Sequence, residues 1–311
     1  MKIVFMGTPQ VAVPALERLK ADGHEVVCVY TQPDRPAGRG NKISFSPVKA
    51  AALTHSLKVL QPEKVRTDEA REVFASHAAE VAVVVAYGRI LPESFLSVYP
   101  HGAINAHFSL LPKYRGAAPV NWAVAHGEIE TGVTTMRMDA GLDTGNILLQ
   151  QRIRIKPNET APELLTRLSL VGADLLSETL AKLPVIRDVV QDHASATLAR
   201  MLSRGDGLID WNMNAVKIAN RVRAFDPFPT TYTFLGPMKL TLWAAESVGS
   251  EAPRAKVGEI VEVGRDMFAV SCGGRTTLRV TEVQPEGKRR MAVRDFLNGA
   301  KLIDGDFLGS R

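Results

Sequence analysis

Only two cysteines occur in 311 residues, Cys28 and Cys272, and they lie in different halves of the chain. Such a pair offers neither a disulfide framework nor a zinc-ligand spacing, and it fits a reducing cytoplasm. No uninterrupted apolar run reaches the roughly 20 residues that span a bilayer, which excludes a transmembrane protein. The opening segment Met1–Met6 is strand-like and too short for a signal peptide, so no export is expected. Neither sign of charge is in large surplus: 38 Lys and Arg against 33 Asp and Glu leave +5, shared between the two halves. That mild excess permits an anionic partner without requiring one. No Gly-x-Gly-x-x-Gly follows the first strand, where Gly7-Thr8-Pro9 stands, and this disfavours a dinucleotide-binding dehydrogenase. Walker A, Gly-x-Ser-x-Gly and His-Glu-x-x-His are all missing, so an ATPase, a serine hydrolase or a zinc protease would lack its parts. The histidines and aspartates show no metal-ligand spacing, and no metal is expected.

What the chain does have is a 45% hydrophobic, 23% charged composition, the balance of a soluble globular protein. Short apolar runs at Ile3–Met6, Val26–Thr31, Val81–Ala86 and Ala103–Ala106 lack polar alternation and read as strands buried on both faces. Helix-period stretches lie between them. This repetition predicts an α/β fold with a doubly wound, Rossmann-like parallel sheet. Thr160-Ala161-Pro162-Glu163 reads as a capping box opening a long helix with Leu164, Leu168, Val171, Leu175 and Thr179 on one face. From Pro184 to Gly207 no period is visible. Beyond it a helix at 215–224 and strand candidates at Thr231–Phe234, Lys239–Ala244, Val257–Val263, Met267–Cys272 and Thr277–Val283 predict a small, OB-like antiparallel β-barrel. The expected division is a first domain over 1–188, a linker over 189–206 and a second domain over 207–311.

In an open parallel sheet, ligands gather beyond the carboxyl ends of the strands. One such end is Ala103-Ile104-Asn105-Ala106-His107, where Asn105 and His107, two apart, point the same way. A pair of this kind reads equally well as a tie holding a loop. The stiff, basic stretch that follows, Ser109-Leu110-Leu111-Pro112-Lys113-Tyr114-Arg115-Gly116-Ala117-Ala118-Pro119, tips the balance toward function. Leu142-Asp143-Thr144-Gly145 by itself reads as a turn.

Taken together, Asn105-x-His107-x-Ser109-Leu110-Leu111-Pro112 and the downstream Leu142-Asp143-Thr144-Gly145 resemble the folate-dependent formyltransferase superfamily. The loop Gln32–Gly40, the Ser109–Pro119 run and the second domain resemble its tRNA-acting branch. The resemblance covers essentially the whole chain. It implies that 10-formyltetrahydrofolate, as co-substrate, donates a formyl group to the α-amine of methionyl initiator tRNA. It also implies a catalytic trio of Asn105, His107 and Asp143, and a folate-contacting segment of Ser109, Leu110, Leu111 and Pro112. The residue types suit the chemistry. Attack of an amine on the formyl carbon builds negative charge on oxygen, which Asn105 and His107 could receive as donors. Asp143 could orient His107 or help relay protons to the leaving nitrogen.

For the tRNA, Arg35, Arg39 and Lys42 in the 32–49 loop and Lys288-Arg289-Arg290 in the second domain are the candidate contacts, against the alternative of solvated charged surfaces. Lys217, Arg221 and Arg223 could extend the second group. Phe225 and Phe228 read as packing residues. The expected enzyme is a cytoplasmic monomer with no membrane contact. Other readings are a formyltransferase for another amine (glycinamide ribonucleotide or a sugar amine), a hydrolase that uses water, or a tRNA-binding module without catalysis.

Overall fold

Runs of Val and Ile with no polar partner can only be satisfied inside a sheet covered on both faces. The computed structural model, which describes residues 1–37, 42–249 and 255–309, places them there. In chain order the elements of the N-terminal half are β1 (Lys2–Gly7), α1 (Val13–Ala21), β2 (Glu25–Tyr30), a short hairpin of β3 (Arg35–Ala37) and β4 (Lys42–Ser44), α2 (Pro47–Thr54), β5 (Val59–Leu60), α3 (Asp68–Ala75), β6 (Val81–Val85), α4 (Glu93–Leu96), β7 (Ala103–His107), α5 (Pro119–His126), β8 (Glu130–Arg137), β9 (Ile147–Arg154) and α6 (Ala161–Lys182). The main sheet has the order β5-β2-β1-β6-β7-β8-β9. Its strands from β5 to β7 run parallel, as expected.

The last two strands depart from the parallel pattern. β8 is antiparallel to β7, and β9 to β8. The nine residues between β8 and β9 are too few for the crossover that a parallel pair needs, so an antiparallel hairpin is the available solution. The helix expected from the capping box begins as predicted, with the Thr160 amide and hydroxyl both donating to Glu163 Oε2 at 2.9 and 2.8 Å. Along it Leu168, Leu175 and Thr179 are buried, and the Thr179 hydroxyl meets that of Thr135 on β8 at 2.8 Å.

By contacts the chain forms two units, one of Met1–Pro119, Glu130–Arg154 and Leu165–Ala199, the other of Val120–Ile129, Ile155–Leu164 and Arg200–Arg311. The second carries α7 (Ala215–Ala224), β10 (Thr231–Leu235), β11 (Met238–Val248), β12 (Ile260–Val263), β13 (Phe268–Cys272), β14 (Thr276–Pro285), β15 (Met291–Ala292), α8 (Val293–Leu297) and β16 (Leu308–Gly309). These strands make one antiparallel sheet in the order β12-β13-β14-β11-β10-β16, with β15 on β14. The sheet curls until its two ends meet. The Ile260 amide donates to the Asp306 carbonyl at 2.8 Å and the Leu308 amide to that of Gly258 at 2.9 Å. Inside the curl Trp211, Ile218, Val222, Leu240, Phe268, Val270 and Val280 pack together, and Trp211 Nε1 donates to Thr233 Oγ1 at 3.1 Å.

Candidate active site

Strand alternation sets the first half of the site. Asn105 and His107 share one face of β7, whose neighbours are β6 and β8. Asn105 is half-buried and its side chain has no hydrogen bond among the described residues. His107 is 6% exposed. Its Nε2 lies 2.9 Å from the Tyr114 carbonyl oxygen. A carbonyl only accepts, so Nε2 carries a proton and Nδ1 is the ring edge that faces Asp143, 3.6 Å from Oδ2. Tyr114 is itself held in place. Its backbone is left-handed at φ 60°, and its amide donates to Thr197 Oγ1 at 2.8 Å. Backbone bonds between 115–118 and 197–199 fasten the rest of the loop.

The second half of the site arrives by an indirect route. The connection from β8 to β9 starts at Met138, whose amide donates to the Ala103 carbonyl at 2.8 Å. That is the far end of β7, about 13 Å of strand from His107. To bring Asp143 to His107 the connection doubles back over one face of β7. The Asp139 carboxylate starts the turn by accepting from the Gly141 amide and the Thr144 hydroxyl. Asp143, at φ 53°, accepts at Oδ2 from the Gly116 amide at 2.8 Å. Its carbonyl accepts from Gln191 Nε2 at 2.9 Å, and the Gly145 carbonyl accepts from the same atom at 2.6 Å. Gln191 Oε1 in turn accepts from Arg115 Nε and Nη2, at 3.1 and 2.7 Å. Sequence reasoning missed Gln191, which sits in the stretch without a period.

Two glycines permit close backbone approaches here, Gly116 in the loop after β7 and Gly145 in the returning connection. Gly116 has φ +119°, and a Cβ there would lie 2.7 Å from the Ala199 carbonyl oxygen. At Gly145 a Cβ would lie 1.8 Å from the Arg137 carbonyl oxygen, deep inside contact distance. Gly145→Ala is therefore expected to cost about 1–3 kcal/mol of stability, as overpacking does, and to shift the Asp143 loop. Denaturant melts and turnover measured on one preparation check this, and an unchanged midpoint with unchanged kcat would refute the tight approach.

The expected folate segment is built as a stiff shelf. Ser109 is fully buried and its hydroxyl donates to the Lys113 carbonyl at 2.7 Å, closing its own loop. The Leu111 amide donates to Thr134 Oγ1, and the Leu111 carbonyl accepts from Gln150 Nε2. Leu110 and Pro112 are half-exposed, whereas Leu111 is buried. At the carboxyl edge of the parallel strands, three loops are laced together. Thr8 Oγ1 and Gln32 Nε2 both donate to the Tyr87 carbonyl, at 3.0 and 3.1 Å, and Arg89 Nε donates to Gln32 Oε1 at 2.9 Å.

Of the basic candidates, Arg35 is exposed on β3 and Lys42 belongs to β4, while Arg39 lies outside the described residues. Lys49, in the first turn of α2, is paired with Asp34 and donates to Gln61 Oε1. Hydrogen bonds from Lys49 and Gln61 hold the Asp34 carboxyl below its usual range. In the second unit Lys288 and Arg289 are exposed. Arg290 pairs with Glu282 and stacks over the Trp243 ring at 4.7 Å. Arg223 is turned inward, donating to the Glu159 carbonyl and to Asn220, and burial lowers its pKa, so it ties the unit together rather than extending a basic face. Phe225 is fully buried as expected, but Phe228 is 51% exposed and packs little.

Among the described residues no cluster of three His, Cys, Asp or Glu side chains could hold a metal ion, and no helix is long and apolar enough to cross a membrane. Burial pushes the Cys28 thiol up to about 11 and that of Cys272 to about 12, so neither is a thiolate near neutrality.

Comparison with known proteins gives a consistent picture. The formyl transferase family matches residues 1–180, and the formyl transferase C-terminal domain matches 201–301. The methionyl-tRNA formyltransferase of Desulfotalea psychrophila is 49% identical over 304 residues, 97% of this chain and 94% of its own. That of Geobacter metallireducens is 48% identical over 311 residues, 99% of each chain. Among solved structures, a sugar 3N-formyl transferase in the presence of dTDP and 5-N-formyl-THF superposes with a TM-score of 0.67 at 18% identity, covering 93% of this chain and 99% of its own. A methionyl-tRNA formyltransferase from Clostridium thermocellum gives 0.58, also at 18% identity, over 80% of this chain and 95% of its own.

Proposed function

The chain belongs to the formyl transferase family, and from that premise we propose that it transfers the formyl group of a folate donor, 10-formyltetrahydrofolate, to the α-amine of methionyl initiator tRNA. The observation that carries this reading is the match along the full length, second domain included, to relatives bearing that name at nearly half identity. The work divides between a catalytic segment, 1–188, and a tRNA-holding segment, 207–311, joined by 189–206. The protein acts as a monomer in the cytoplasm, where its two free thiols stay reduced.

The amine attacks the formyl carbon, a C–N bond forms, and the bond from carbon to the folate nitrogen breaks. Between these events the formyl oxygen carries negative charge. Asn105, whose amide has no hydrogen bond among the described residues, donates to that oxygen from β7. The Tyr114 carbonyl reserves Nε2 of His107, so Nδ1 is the ring atom left for proton traffic, with the Asp143 carboxylate beside it. The Ser109–Pro112 shelf supports the folate through the exposed parts of Leu110 and Pro112, and the Leu111 and Ser109 side chains brace it from within.

Incubating the purified chain with 10-formyltetrahydrofolate and, in separate reactions, methionyl initiator tRNA, an amino-sugar nucleotide, glycinamide ribonucleotide or buffer tests the reading. Formylation of the tRNA alone is expected. A formylated small amine, or donor hydrolysis in buffer, overturns it.

Arg35, Arg39 and Lys42 grip the acceptor end of the tRNA, and Lys288, Arg289 and Arg290 meet its phosphates. Each phosphate contact releases counterions, so Lys288→Ala and Arg289→Ala are each expected to flatten the slope of log affinity against log salt by about 1. Arg290, already engaged with Glu282 and Trp243, should contribute less. Slopes equal to that of the unmodified chain would remove these residues from the contact.

A further inference from the structure

We propose that Gln191, oriented by Arg115, is a positioning residue that holds Asp143 against His107; the catalytic part of this proposal rests on the formyl-transfer reading above. Gln191 is 3% exposed and Arg115 6%, so both polar groups are enclosed by protein. Their bonding leaves one solution. Guanidinium nitrogens only donate, so the Gln191 atom that meets Arg115 Nε and Nη2 is the carbonyl oxygen. The amide nitrogen must then face the other way, toward the carbonyls of Asp143 and Gly145, which only accept. The side-chain amide is thus locked at both ends.

The bonds fall where the loop needs them. Asp143 has returned over the face of β7, and no strand pairing holds it there. What ties it down is the Gly116 amide on its carboxylate and the Gln191 fork on its backbone and on that of Gly145. Arg115 and Gly116 are adjacent, so a single short stretch anchors both ties. The Arg115 carbonyl accepts from the Ala199 amide at 2.7 Å, which fastens that stretch to the segment following Gln191. Arg115 also reaches His193 Nδ1 at 3.1 Å.

Only a side chain with an acceptor and a donor on one planar head, at this length, serves both ends. Glutamate keeps the volume and keeps an acceptor, now charged, for Arg115. It places its second oxygen against two carbonyl oxygens, so the fork repels where it had bound. If Gln191 merely filled space or gave Arg115 an acceptor, Gln191→Glu would be harmless.

The test compares the intact chain with Gln191→Glu in steady-state formylation of methionyl initiator tRNA and in amide hydrogen exchange. A displacement of about 1 Å at a reacting group costs on the order of 10²-fold in rate, so kcat is expected to fall by that factor with both KM values little changed. The Gly116 amide, which donates to Asp143, is expected to lose protection while the amides of β6 and β7 keep theirs. If Gln191→Glu does not fold, Gln191→Ala, which removes the donor without adding charge, carries the same comparison. Unchanged kcat, a loss confined to KM, or a Gly116 amide still protected overturns the proposal. The exchange measurement needs no turnover. An unmodified chain inert toward methionyl-tRNA would sink the functional reading, and Gly116 alone would then decide whether Gln191 holds Asp143.

Discussion

His107→Ala is expected to lower kcat by about 10²–10⁴-fold, the range that a positioned proton-transfer group contributes, with the protein still folded. The structural cost is modest. Among the described residues His107 makes one side-chain hydrogen bond, to the Tyr114 carbonyl, and taking away one partner of a buried pair costs about 1–3 kcal/mol. A domain stable by about 5–15 kcal/mol tolerates that. The chemical cost expected on the proposed mechanism is larger, because among the described residues no other imidazole is bonded into this face of β7. Measuring kcat together with a thermal melt separates the two. A folded variant with near-normal kcat removes His107 from the mechanism.

Asp143→Asn is the sharper experiment, because it keeps shape and removes charge. The asparagine oxygen can still accept from the Gly116 amide, so the loop keeps that tether. What disappears is a negative charge 3.6 Å from Nδ1 of His107, on a side chain only 14% exposed. At about 4 Å and an effective dielectric near 20, a unit charge pair interacts by about 4 kcal/mol. If that interaction is realised in the transition state, kcat falls by about 10³. Asp143→Ala loses the tether as well and should be no faster. An Asp143→Asn enzyme with near-normal kcat would reduce Asp143 to a structural tie.

The parallel strands and the pair Asn105 and His107 could be read from the sequence because period and alternation are local properties. β7 is five residues long, and its pattern alone puts the two polar side chains on one face. β8 was hidden. Its Glu-Thr-Gly-Val-Thr-Thr-Met-Arg run is buried through threonines whose hydroxyls find partners on Ser109, Leu149 and Thr179, so burial there leaves no apolar signature. Asp143 was legible only through resemblance, since a turn aspartate carries no mark of where its loop returns. Gln191 and its bond to Arg115 leave no local mark for a related reason. A buried fork needs partners 76 residues apart, and spacing that long produces no period. Arg223 was misjudged because a cation on an amphipathic helix looks solvent-facing until its carbonyl partner, Glu159, is seen.

The bond from His107 to the Tyr114 carbonyl has one more effect. An imidazole fastened at its rear nitrogen has a single door. It cannot pass a proton through the ring from one side to the other, so what enters at the front must leave at the front. If His107 carries the proton in the proposed transfer, the incoming amine and the departing folate nitrogen both call at that one atom, in turn.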